Sequence, residues 1–253
     1  MKTQKTWPIL PTTFTWVCLI IFTAQATKAQ TLAEVIALHK KNSHTKPTKL
    51  KSMVLKGKTI LTGMNMAFET KVYRQAPNLF KLEVPIQGKT LIKAYDGQVA
   101  WKVDPFPGGS DRPTRMTGTE ESDMILGADF GYEFINAAQK GHTVTLEGIE
   151  EIDEVPCYKI KVVRKDKQVK SYFLEKETGI LMMERGQSIH PLKSDVLVEK
   201  ETYFSEYKEI QGVMMAHYME ERIGGQVVAK MQFDNITIND KLDHKIFTFP
   251  SKQ

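Results

Sequence analysis

From Lys51 onward the apolar residues fall on every second position over most of the chain, the period of a strand with one buried face. Met64, Met66, Phe68 and Val72 make one such row, with Asn65, Glu69 and Lys71 on the other side. "VYRQAPNLFKLEV" and "AYDGQVAWKVDPFPGG" continue the pattern, with Val99, Trp101 and Val103 alternating against Gln98, Ala100 and Lys102. Later runs include "HTVTLEGIEEI", "CYKIKVV", "VKSYFLE", "GILMMERG", "ETYFSEYKEI", "VMMAHYMEERI" and "QVVAKMQFDNITI". Turn signals punctuate them at Asp96-Gly97, Lys165-Asp166-Lys167, Thr178-Gly179, Gln211-Gly212 and Gly224-Gly225. The pattern predicts a mainly β (α+β) chain, with about eleven or twelve strands in one meandering antiparallel sheet.

Two places break the alternation. Thr31-Leu-Ala-Glu34 is a capping-box pattern, and Leu32, Val35, Ile36 and His39 recur at helical spacing, so a helix opens there and stops before Pro47. Between Asp104 and Gly141 a Pro/Gly loop leads into "TEESDMILGADFGYEFINAAQKG". Thr119 is placed to cap a short helix through Met124 to Leu126, and Asp129 to open a second one ending at Gly141. With no repeat and no linker, residues 30–253 read as a single domain with a helical insert in mid-sheet.

Residues 1–29 read separately, as a secretory signal peptide. Lys2 and Lys5 precede the short apolar run "FTWVCLIIF", and Ala24-Gln25-Ala26 or Thr27-Lys28-Ala29 supplies a cleavage site. The expectation is an exported, periplasmic protein with no membrane span. Cys18 leaves with the signal, so Cys157 has no internal partner, and its strand-start context reads as packing. The formal charge of +5 includes Lys2, Lys5 and Lys28; the remainder is nearly balanced, which argues against nucleic acid as a partner. The basic hairpin "KIKVVRKDKQVK" reads as a lysine-protected sheet edge.

The sequence holds no catalytic constellation. The six histidines are scattered without a metal-ligand spacing, and no phosphate loop or nucleophile elbow is present, so neither cofactor nor metal is expected. Glu150–Glu151 and Glu220–Glu221 are adjacent on strands and point to opposite faces. Methionine is more informative, because a flexible, polarizable side chain suits an apolar surface that must fit variable shapes, although it also fills core gaps. Met64, Met66, Phe68, Val72, Val99, Trp101, Met215, Met219, Met231 and Phe233 are the expected lining of an apolar concave face.

The order of these pieces resembles the LolA-type lipoprotein-sorting family. Arg74, Pro77 and Phe80 match its first strand pair; Asp96, Gly97, Trp101, Asp104 and Pro105 match its Asp-Gly hairpin. Gly179-Ile-Leu, the "YFSEYKEIQGVMMAHYMEERIGG" segment and terminal "IFTFP" look like the rest of that family's sheet. The resemblance implies an incomplete antiparallel β-barrel with a helical lid, and a monomeric, non-catalytic periplasmic carrier or chaperone. It further implies that acylated lipoproteins pass from an inner-membrane transporter to an outer-membrane receptor, serving outer-membrane biogenesis. Arg74 becomes the lid-contacting residue, with Met124 and Ile125 on the lid itself. A carrier of another envelope lipid, or a lipid-sensing regulator on the same scaffold, is the alternative.

Overall fold

The computed structural model describes residues 30–44, 49–64, 66–190 and 193–250. The signal-peptide reading of residues 1–29 and the placement of Asn65 lie outside them. Thr31 caps the first helix, α1 (Leu32–Ser43): the Glu34 amide donates to its Oγ1 at 3.3 Å, and the Thr31 amide donates to Glu34 Oε2 at 2.7 Å. Each exchange satisfies a donor that the first helical turn cannot.

Thirteen strands follow. The first six are β1 (Ser52–Leu61), β2 (Met66–Gln75), β3 (Leu79–Ile86), β4 (Lys89–Tyr95), β5 (Ala100–Asp104) and β6 (Ser110–Arg115). After helix α2 (Gly118–Ala128) come β7 (Thr143–Ile152), β8 (Val155–Val163), β9 (Val169–Glu175) and β10 (Leu181–His190). The last three are β11 (Lys193–Ile210), β12 (Val213–Ile223) and β13 (Gln226–Ile238). The extra strand relative to the sequence count is β6, "SDRPTR", which lacks apolar alternation and carries Pro113. An edge strand tolerates both, and β6 is an edge.

The sheet order is β6-β5-β4-β3-β2-β1-β13-β12-β11-β10-β9-β8-β7, wholly antiparallel and open. Two meanders, β1–β6 and β7–β13, therefore meet at one seam, where β1 pairs with β13. A Cβ on Gly57 would lie 1.9 Å from the Gln232 carbonyl oxygen, so glycine is required where the ladder shifts register at this seam. The two free edges are β6 and β7, which are consecutive in sequence. The segment between them, residues 116–142, must cross from one edge of the curled sheet to the other. The lid thus follows from the topology.

Pairing fixes the faces, because residues opposite one another in an antiparallel ladder project to the same side. Phe68, Thr59, Met231, Met219 and Phe204 form one row across β2, β1, β13, β12 and β11. Val72 and Leu55 lie on the same face, as do Arg74 and Met53. On that inner face Leu55, Phe233 and Ile236 are buried among Met53, Val72, Ile210, Met215, Met219 and Met231. Toward the other edge α1 lays Val35 on Tyr158, Ile160, Val162, Tyr172, Leu174 and Leu181, with Phe134 completing the cluster.

Several expectations are corrected by this register. Trp101 stands opposite Ala94, whereas its neighbour Ala100 stands opposite Tyr95, which continues the Phe80–Arg74 row of the inner face. Trp101 therefore points outward. It is 3% exposed because the C-terminal segment covers it: its Nε1 donates to the Phe247 carbonyl at 2.7 Å, and Phe249 meets it edge-on at 6.2 Å. That segment, expected to be part of the sheet, is a short 3₁₀ turn (His244–Ile246) and a strap on the outer face. Val99 lies in the turn before β5, its amide donating to Asp96 Oδ1 at 2.7 Å, so it lines no groove either. Met64 ends a 3₁₀ turn (Thr62–Met64) ahead of β2 instead of lying in the strand. The basic hairpin β8–β9 is internal, and its strand charges are paired: Lys159 and Lys161 with Glu147 and Glu150, Arg164 beside the turn with Glu133, Lys170 with Glu184.

Candidate functional site: a groove under a strap

Of the expected lining residues, Met66, Phe68, Val72, Met215, Met219, Met231 and Phe233 come together on the inner face. The row also enlists Thr59 and Phe204, which the sequence reading did not single out. Their signal was present as alternation within each strand; only the pairing between distant strands brings them beside the methionines. Met66 remains 37% exposed at one end of the row, so the apolar floor reaches solvent there.

Over this floor lies α2. It starts at Gly118, after Thr117 and without a side-chain cap, and buries only Ala128 fully. Met124 packs toward Tyr95, Ala100, Met116 and Phe80, whereas Ile125 faces out. Polar contacts fasten the helix to both walls of the groove. Lys102 on β5 holds Glu120 at 2.7 Å, and Ser188 on β10 donates to Asp123 at 3.4 Å. Between them Arg74 rises from β2 and donates through Nη2 to the carbonyls of Gly127 at 3.0 Å and Asp129 at 2.6 Å. Carbonyls at a helix C-terminus lack intrahelical partners, so a cation beneath them is well placed. Burial pulls the Arg74 pKa downward from the ordinary guanidinium value, opposed by Glu184 and Asp129, and its Nε is buried without a partner. Lys140 closes on Asp129 at 2.5 Å.

Beyond Asp129 the expected second helix does not form. The chain runs irregularly to a 3₁₀ turn (Ala137–Lys140) that Gly141 terminates in the left-handed conformation. The irregular stretch is pinned by aromatic contacts: Tyr132 and Phe134 stack at 5.3 Å, His39 of α1 meets them edge-on at 5.1 and 5.2 Å, and Tyr172 meets Phe134 at 5.0 Å. Burial, with Glu184 nearby, pushes the Tyr132 phenol up to about 12. The crossing segment thus has an apolar, tightly packed half and a polar, lightly buried half, which is α2.

At the β10 end of α2 a cleft of about 170 Å³ opens between the helix and β9–β11. Its lining is polar, with Asp123, Glu133, Arg164, Lys170, Glu184, Ser188, Lys200 and Thr202 around it. Burial draws Lys200 down, but Glu221 at 3.0 Å, together with Glu184 and Asp123, leaves its pKa raised. None of this cleft was expected from the sequence.

Residues 101–251, more than half the chain, match a family described only as an uncharacterized protein. The chain belongs to this family. Its fold is the LolA fold. A LolA superfamily protein from Nitrosomonas europaea superposes with a TM-score of 0.56 at 16% identity, covering 87% of this chain and 98% of that one. A DUF1329 family protein from Desulfovibrio piger gives 0.56 at 15% identity over 85% and 94%. No curated protein matches the sequence. Within the LolA fold the chain presents an open antiparallel sheet, a Met-rich inner face and a crossing helix held by Arg74. Among the described residues, no helix is long and apolar enough to cross a membrane.

Proposed function

We propose that the protein is a monomeric, non-catalytic periplasmic carrier that holds the acyl chains of lipoproteins in the groove beneath α2 and moves them toward the outer membrane. The observation that carries this reading is the row Phe68–Met231–Met219–Phe204 on a floor roofed by a helix whose fastenings are mostly polar. The similarity of fold to LolA superfamily proteins supports it. Each CH₂ moved from water onto such a floor gains about 0.8 kcal/mol, so one chain offsets much of the cost of leaving a membrane. In the closed form the floor side chains pack on one another. Loading therefore swings α2 away, breaking the Arg74, Lys102 and Ser188 contacts, and the flexible methionines re-pack around the cargo. Unloading needs a receptor with a better apolar surface, and the transporter and receptor of the two membranes are the partners this predicts.

A reversible lock tests the gate. Asp123→Cys with Ser188→Cys puts a thiol on each of two facing side chains whose oxygens now lie 3.4 Å apart. Cys157 is buried, with its thiol pushed up to about 11, and does not compete. Oxidation is expected to slow uptake of a diacylated lipopeptide at least about tenfold, with recovery on reduction. Equal uptake by locked and reduced protein would remove α2 from the mechanism.

A further inference from the structure

The cleft at the β10 end of α2 differs in chemistry from the groove it adjoins. Thr202 in the cleft and Phe204, which pairs with Met219 at the margin of the groove and packs against the α1 cluster, share one face of β11, two residues and so about 7 Å apart. A single amphiphile spans that distance with its polar and apolar parts in contact with both.

The charges of the cleft say which polar part fits. Its lining carries three cations (Arg164, Lys170, Lys200) and three carboxylates (Asp123, Glu133, Glu184), which sum to zero. Arg164 is held by Glu133 at 2.8 Å, Lys170 by Glu184 at 3.0 Å and Lys200 by Glu221 at 3.0 Å. Each cation therefore already has its anion, and an incoming phosphate would have to displace a carboxylate from a partly buried pair, a costly exchange. Asp123 is held less tightly, by the 3.4 Å bond from Ser188. Because Glu221 lies outside the lining, Asp123 is the surplus carboxylate of the cleft, and with the hydroxyl of Thr202 and the amides of Gln168 and Gln187 it leaves a set of acceptors and donors suited to a head group rich in neutral hydrogen-bond donors. The volume, about 170 Å³, equals that of about six waters and matches one compact head group.

We infer that this cleft is a head-group subsite for an uncharged, hydroxyl- or amide-rich amphiphile whose acyl chains lie in the adjoining Met-lined groove. The inference rests on the carrier reading and narrows its cargo to two sources of the same chemistry, the sugar of a neutral glycolipid or the first peptide units of a lipopeptide. Anionic glycerophospholipids are disfavoured at the site, because its cations are already paired.

Four probes with identical acyl chains test it on the full mature protein: a diacylglycerol, its monoglucosyl derivative, a diacylated dipeptide with blocked ends, and a phosphatidylglycerol. The glucosyl or the dipeptide probe is expected to bind about tenfold more tightly than the diacylglycerol, the gain of about two hydrogen bonds, and whichever gains identifies the source. Phosphatidylglycerol should show no such gain. Thr202→Val with Gln168→Leu, two cleft residues that do not fasten α2, should erase the gain while leaving the diacylglycerol affinity unchanged, which also reports that the variant is folded. A head-independent affinity, a gain with phosphatidylglycerol, or an equal loss for all probes in the variant would overturn the subsite and leave the carrier standing. Failure of every probe to bind would overturn both.

Discussion

His39 sits where α1, the Thr178–Gly179 turn and the crossing segment meet. Its Nδ1 donates to the Gly179 carbonyl at 2.8 Å, Ser43 lies beside it, and its ring faces Tyr132 and Phe134. Burial lowers its pKa below 6.5; the bond to Gly179 opposes this, and His44 and Lys40 add to it. Below pH 6.5 the unfolded chain therefore takes up a proton that the folded one resists, so stability is full above that value and is lost as pH falls. The melting temperature is expected to drop between about pH 7 and pH 5, and His39→Asn should flatten that slope. An unchanged slope would assign the sensitivity to other groups. Trp101 shows what a residue alone cannot reveal. Alternation groups Val99, Trp101 and Val103 on one side of β5, but only pairing with Ala94 decides that the side is the outer one. Trp101→Ala should accordingly cost about 3–5 kcal/mol in urea unfolding, the usual penalty for emptying a buried tryptophan site, and leave acyl-probe affinity unchanged. A selective loss of binding would put the indole back in the groove.

At the level of elements, α2 combines little apolar burial with several charge-assisted bonds, a balance that favours local opening over global unfolding. Arg74→Met keeps much of the side chain's length and removes its two bonds to Gly127 and Asp129. Amide exchange in residues 118–128 is expected to quicken about tenfold or more, while protection in β1, β12 and β13 stays at the wild-type level. Uniform loss of protection would instead make Arg74 a keystone of the whole sheet. The helix was legible around Met124, and so was its neighbourhood's end at Gly141, because glycine and capping residues are local signals. The stretch after Asp129 was not: its conformation follows from Arg74, His39 and Tyr172, which are remote in sequence. β6 was hidden for a related reason, since an edge strand needs one partner and no apolar stripe.

Across the whole molecule, the strand content was legible because a half-buried antiparallel sheet imprints its period on nearly every strand. The apolar side of the site was legible to the same extent, with most of the methionines and Phe68 converging as alternation requires. The polar cleft was not, because its charges come from α2, the stretch after it, the β8–β9 turn and three strands, and meet their partners only once assembled. The seam carries a further consequence, one of timing. Met53 pairs with Ile238, so the ladder joining β1 to β13 closes a loop of nearly the entire described chain, the slowest kind of contact to form. The groove floor straddles that seam, half from β1 and β2 and half from β12 and β13. A chain made amino end first has no complete groove floor until its last strand is available. On the carrier reading proposed above, a chain truncated before β13 is therefore expected to bind no acyl probe, and binding competence arrives only as folding finishes.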